Sequence, residues 1–249
     1  MVNPHSLEKR LEMREKPQGP MVMYHTWRDL LFLHWSYEPV EIQRTLPEGL
    51  SVDTFEGRAY VGIVPFYMRE VRPRFVLALP LISNFLELNV RTYAYDREGT
   101  PGVWFYSLDA NQRLAVKTAR LSFGLPYFHA WMAAEKDRQT GEVRYYCRRR
   151  EAGSLPGSYF QYRGTGPARQ AEPGSLEFFL IERYVLFSKY AGKIVKGQVH
   201  HLPYPVQDAE AATWDDHLFT LDGLTRPGRP PDAVHYSAGV RVQVYPLAR

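Results

Sequence analysis

Two strand-patterned runs with a turn between them set the first constraint on this chain. They are "FLELNVRTYAY" (residues 85–95) and "GVWFYSLDA" (102–110), with "DREGTP" between them. The first alternates at period two. Phe85, Glu87, Asn89, Arg91 and Tyr93 fall on one side of a strand, and Leu86, Leu88, Val90 and Thr92 on the other. The apolar side packs on a core. The other side carries a carboxylate, an amide and a guanidinium, and faces either bulk water or a cavity.

The same grammar recurs along the chain. "DLLFLHWSY" (29–37) reads as a strand, and Pro39 opens a short helix through about Leu46. "LSVDTFEGRAYVGIVPFYM" gives two apolar runs around Glu56-Gly57, a hairpin signal. Asp109 and Gln112 have capping-box spacing ahead of a helix whose apolar stripe is Leu114, Ala115, Thr118 and Leu121, stopped by Gly124-Leu125-Pro126. "FHAWMAA" and "EVRYYCRRR" form paired strands around "KDRQTG". Residues 163–174, rich in glycine and proline, read as a loop, and "SLEFFLIERYVLF" begins helical and ends extended. "GKIVKGQVHHLPY" and "HYSAGVRVQVYPL" close the chain as strands, and residues 7–15 form a short charged helix broken by "KPQGP".

Many short strands with a few inserted helices predict an α+β, mainly β chain: one antiparallel sheet system, closed or half-closed. Residues 1–20 read as an N-terminal extension and 21–249 as a single domain. At 45% hydrophobic and 23% charged the chain is globular rather than disordered. The single cysteine, Cys147, excludes an internal disulfide framework and a cysteine-based zinc site. It reads as a free thiol on a strand, although Arg148, Arg149 and Arg150 beside it could lower its pKa. That arginine run reads as a solvated hairpin, and no nucleic-acid partner is expected from it. With neither a signal-peptide core nor a membrane-length apolar run, the expectation is a cytoplasmic protein with no membrane partner. GxGxxG, Walker A, HExxH and GxSxG are all missing, which removes the loud-motif cofactor and hydrolase classes.

"HW" at 34–35, "LPEGLSVDTFEGRAYVGIVPF", "FLELNVRTY", "GVWFYSLDA", "ARLSFGLPYFHA", "ERYVLF" and "VHHLPYPV", in that order, resemble the YqjF-like (DUF2071) family over about residues 22–246. Its fold is related to acetoacetate decarboxylase. The resemblance therefore implies an antiparallel β-barrel-like core around a pocket, and raises the reading in which the Glu87 face points inward. The decarboxylases form a Schiff base from a lysine in a Gly-x-Pro-Lys-Lys stretch. The similar stretch here is Gly124-Leu125-Pro126-Tyr127-Phe128, with no amine at either position. Glu87 is the match for a decarboxylase glutamate that faces the pocket.

The candidate site follows. Glu87, Tyr127 and His129 are candidate acid/base or orienting groups, and Asn89 and Arg91 candidate ligand-binding groups. Glu87 and Arg91 lie about 13 Å apart by strand rise, so a water, another residue or a ligand bridges them as readily as a direct ion pair. Tyr127 and His129 share a strand parity; the alternative is that both simply pack with Trp131. Lys117, three residues from Arg120, is the candidate for a relocated Schiff-base amine, and its place on the helix predicts that it is exposed instead. His34 reads as a core histidine, and His200 and His201 point to opposite strand faces, so no metal site and no cofactor are expected. The partner is a small organic acid or carbonyl compound, with an oligomer left open. The alternative is a non-catalytic binding or sensor protein on the same fold.

Overall fold

The computed structural model describes residues 7–79 and 82–248, apart from the side chains of Ala119, Leu121 and Ser122. Its frame is one sheet of twelve strands: β1 (Met23–Tyr37), β2 (Ser51–Val52), β3 (Ala59–Pro73), β4 (Phe85–Tyr95), β5 (Pro101–Ala110), β6 (Tyr127–Lys136), β7 (Val143–Arg149), β8 (Ser158–Arg169), β9 (Val185–Tyr190), β10 (Lys193–His200), β11 (Val206–Thr213) and β12 (Ala233–Val244). Five short helices are inserted: α1 (Leu7–Arg14), α2 (Pro39–Gln43), α3 (Arg113–Phe123), α4 (Leu176–Ile181) and α5 (His217–Leu221).

The pairing closes on itself twice. From β12 the order runs β1, β3, β4, β5, all antiparallel. Beyond β5 the sheet forks. One branch returns to β12 through β6, β7, β8 and β11, the other through β9 and β10. Both branches leave β5 by short parallel contacts, Leu108 to Ala110 beside Tyr127 to His129, and Val103 and Trp104 beside Leu186 and Phe187. Two rings of strands therefore share the wall β12-β1-β3-β4-β5.

This wall is why both sides of β4 are buried. Leu86, Leu88 and Val90 join Leu31, Leu33, Trp35, Val143, Tyr145 and Phe160 in the first interior. Phe85 and Tyr93 join Phe32, Val64, Phe66, Phe179, Leu180 and Val199 in the second. Strand alternation that elsewhere separates core from solvent here separates one interior from the other. β1 and β3 are fifteen residues long and serve both, with register shifts between Arg28 and Leu33 that let the wall bend.

Several sequence expectations are corrected. The Glu56-Gly57 turn forms, with Phe55 and Arg58 bonded across it, but β2 pairs with β4 rather than with β3. Residues 163–169 are not loop: they extend β8 along β11. Asp109 does not cap α3. Gln112 does, its side chain accepting from the Leu114 N–H, while Asp109 stays in β5 and is ion-paired. On α3, Leu114 is 54% exposed and Val116 is the buried residue. The predicted stripe is therefore met only in part: Ala115 and Thr118 border the second interior, Leu114 does not, and Leu121 falls among the side chains not described.

Candidate functional site

The polar face of β4 points into the second interior. Glu87, Asn89 and Arg91 line a cavity of about 190 Å³ there, among side chains that are mostly apolar: Leu30, Val64, Phe66, Met68, Phe85, Phe105, Leu108 and Ile181 are examples. Further polar walls include His25 and Trp27 from β1, Thr118 from α3, Tyr127 from β6, Arg183 and Tyr184 after α4, and Tyr204.

Glu87 is 3% exposed. The Tyr127 hydroxyl donates to its Oε2 at 2.8 Å. Burial lifts the Glu87 carboxyl from its ordinary 4.5 to about 7. The hydrogen bonds from Tyr127 and Asn89 pull the other way, and the charge of Asp109 adds to the rise. Burial, then the neighbouring carboxylate, push the Tyr127 phenol well above its ordinary value, so it is a fixed donor. Asn89 Oδ1 has no hydrogen-bond partner.

Arg91 does not pair with Glu87. Its Nη2 donates to the Leu180 carbonyl at 3.2 Å, its Nε has no partner, and its guanidinium lies 5.5 Å from the Phe32 ring centre. Tyr93, next on the same face, donates to the same carbonyl at 2.7 Å and lies 2.6 Å from His34 Nε2. His34 is a buried core histidine, held well below its ordinary pKa by burial and then by Arg91.

Sequence reasoning missed the second guanidinium. Arg183 donates from Nε to the Phe179 carbonyl at 2.7 Å and from Nη1 to Asp53 Oδ2 at 2.8 Å, leaving Nη2 without a partner. Asp53 is also gripped by Arg10 of α1, at 2.8 Å from each carboxylate oxygen. Arg183 was visible in "ERYVLF". What marks it is the short helix ahead of it, which turns it inward, and that is a tertiary signal. His25 and Trp27 were missed likewise: their ring nitrogens are buried without partners, and burial lowers His25 to about 4.

Tyr127 and His129 separate. Alternation is unbroken along β6, so the two share a face, but beyond the fork that face no longer looks into the second interior, while Ala130, Met132 and Ala134 on the other face pack into the first. His129 instead lines an outer cleft with Arg113, Val116, Lys117, Arg120, Arg150 and Glu151. Burial, with Arg150 and Arg113, lowers its pKa. Lys117 is exposed in that cleft and does not line the cavity.

The arginine run is not uniformly solvated. Arg149 is buried, chelating Asp109 (2.8 and 3.0 Å) and reaching Asp222 at 2.9 Å, while Arg148 and Arg150 are exposed. Cys147 is buried on β7 and its thiol is pushed well up by burial, the reverse of activation. Among the described residues, no three His, Cys, Asp or Glu side chains cluster as a metal site would require. No described helix is long and apolar enough to cross a membrane.

A family model described as DUF2071, an uncharacterized conserved protein, matches residues 24–241. A Bacillus subtilis (strain 168) protein, "uncharacterized protein YqjF", is 36% identical over 233 residues, 94% of each chain. Among solved structures, the enduracididine biosynthesis enzyme MppR, complexed with the condensation product of pyruvate and imidazole 4-carboxaldehyde, matches 92% of this chain and 89% of its own, with TM-score 0.65 and 11% identity. Acetoacetate decarboxylase from Legionella pneumophila matches 98% of this chain and 97% of its own, with TM-score 0.62 and 11% identity. At such identities the likeness is one of fold.

Proposed function

We propose, from the premise that the chain belongs to the DUF2071 family, that it binds and converts a small organic acid or carbonyl compound in the second interior, without a Schiff base from the Gly124-Leu125-Pro126 stretch. The observation that carries this is the buried Tyr127–Glu87 hydrogen bond in the cavity that Arg91 also lines. A carboxyl with a pKa of about 7 exchanges a proton readily at neutral pH. Glu87 is the acid/base group: as the carboxylate it takes a proton from carbon next to a carbonyl, and as the acid it returns one. Tyr127 fixes the carboxyl plane and is not itself the base. Arg91 holds an anionic group through its unpartnered Nε, and Asn89 Oδ1 accepts a hydrogen bond. His129 has no part in this step, since it lines another cleft.

Carbonyl chemistry is supported by the fold relatives, whose names include acetoacetate decarboxylase and an enzyme complexed with a pyruvate condensation product. Among the described residues no lysine lines the cavity, and Tyr127 and Phe128 occupy the positions similar to the decarboxylase lysine pair. Those two facts favour proton transfer over imine formation. They also support the second reading, a binding or sensor protein that turns nothing over. Turnover of a panel of keto acids and ketones, followed by deuterium exchange at the carbon next to the carbonyl, separates the two. Exchange that is lost in Glu87→Gln establishes the enzyme. Saturable binding with no exchange or turnover by the wild type establishes the binding protein.

A further inference from the structure

The second interior holds more positive than negative charge. Arg10, Arg91 and Arg183 are all at most 9% exposed, and Asp53 is the one carboxylate among them. Arg91 and Arg183 converge: they donate to the carbonyls of consecutive residues, Leu180 and Phe179. Both also lie against Tyr93, their guanidinium carbons 5.9 and 4.7 Å from its ring centre. Each line of donors is incomplete, with Arg91 Nε, Arg183 Nη2 and Arg10 Nη1 unpartnered. Of the other buried acids on this side, Glu182 is occupied elsewhere, bonded to the Tyr184 hydroxyl and the Tyr204 N–H. Glu87 accepts from Tyr127, and burial favours its neutral form. An excess of buried positive charge with spare N–H groups is costly until an anion completes it.

The rest of the cavity has the opposite character. Its walls are aliphatic and aromatic, and its polar atoms are few. An apolar cavity of ~150 Å³ accommodates benzene, so 190 Å³ accommodates on the order of eight non-hydrogen atoms. Ordinary drug-sized ligand pockets begin at about 300 Å³, so this one takes a small occupant.

Resting on the proposed function, we infer that the occupant is a hydrophobic monocarboxylic acid of about six to ten non-hydrogen atoms, its carboxylate between Arg91 and Arg183 and its body against Val64, Phe66, Leu108 and Ile181. The unpartnered nitrogens of His25 and Trp27 allow one further polar substituent, such as a keto oxygen, on that body. A compact, strongly hydrated keto acid would satisfy the arginines and leave the apolar walls unfilled.

Titration calorimetry of the full chain with butyrate, hexanoate, octanoate, phenylacetate, pyruvate, acetoacetate and hexanol tests this. Affinity is expected to rise about fourfold per added methylene until the cavity is filled. Hexanoate is expected to bind at least tenfold more tightly than either hexanol or pyruvate. In Arg91→Met the carboxylate preference over hexanol should fall at least tenfold. The ligand-free variant should melt no lower than wild type, because an uncompensated charge has been removed. Tightest binding by pyruvate or acetoacetate would overturn the hydrophobic-acid assignment and leave the proposed function standing. Equal binding of hexanol and hexanoate would overturn the arginine anchor. Failure of every acid in the panel, and of hexan-2-one titrated beside them, to bind would overturn both the assignment and the proposed function.

Discussion

Tyr127 reaches Glu87 across an intervening strand: β6 runs parallel to β5, β5 pairs with β4, and the phenol spans to a carboxylate forty residues earlier at 2.8 Å. The bond ties the fork of the sheet to the shared wall. It also donates to a carboxyl that burial would otherwise keep neutral over a wide pH range.

Stability should therefore fall as pH rises through the range set by Glu87. Below 4.5 the carboxyl is protonated in both folded and unfolded chains. Between 4.5 and about 7 the unfolded chain releases its proton while the folded chain retains it, so the folded state loses ground. The loss is complete above about 7 and is on the order of 3 kcal/mol. Glu87→Gln keeps an acceptor for Tyr127 and removes the titration. Asp109, raised to about 6 by burial, titrates in the same window in both proteins. The measurement is thus the difference between the two melting curves across pH 4 to 8. A difference that stays flat over that range would remove the basis for an acid/base role.

Tyr127→Phe should raise the Glu87 pKa further, because the lost hydrogen bond favours the charged form. It should cost about 1–2 kcal/mol of stability. Carbon-13 titration of the Glu87 carboxyl reports the first effect and chemical denaturation the second. His129→Phe should leave the Glu87 titration where it is, since His129 faces the outer cleft.

Much of this fold was legible in strand alternation and turns. The hairpins of β4 with β5 and of β6 with β7 were readable from period two and from glycine punctuation. The inward direction of Glu87 was not, because alternation on one strand distinguishes two faces without saying what lies beyond either. With a single core, one face of β4 would be wet. With two rings sharing it, neither is, and only long-range pairing decides that. Tyr127 was found because it is near a readable helix stop. His129 shares the face of Tyr127, but the sheet forks between them and the pocket ends there, which alternation along one strand does not reveal. Arg183 and Arg10 converge on Asp53 from 130 and 43 residues away, a separation that no local pattern carries.

The arginine run offers a test of buried against exposed charge on adjacent residues. Arg149→Leu leaves Asp109 and Asp222 facing each other without a cation in a buried site. It should cost about 3–5 kcal/mol and raise the pKa of both carboxyls. Arg148→Leu, exposed one position away, should change stability by less than about 0.5 kcal/mol. Urea denaturation of the two variants makes the comparison. Equal small effects would mean that the Arg149 triad contributes nothing net.

Lys117 provides the last check, on whether imine chemistry was relocated rather than lost. It lies on α3 one residue from Val116, which packs inward, and one from Thr118, which borders the cavity. Its own side chain is exposed and lines the cleft that holds Arg113, Arg120 and His129. Its amine stands in that outer cleft and does not line the cavity in which a keto acid would be held beside Glu87. Borohydride reduction in the presence of keto acids should therefore yield no adduct on Lys117 above the level of other surface lysines, as read by peptide mass mapping. Lys117→Ala should bind acids in the cavity within about twofold of wild type, a difference of about 0.4 kcal/mol. An adduct concentrated on Lys117 would require α3 to turn that side chain through the cavity mouth. It would then make the lysine, rather than Glu87, the reacting group.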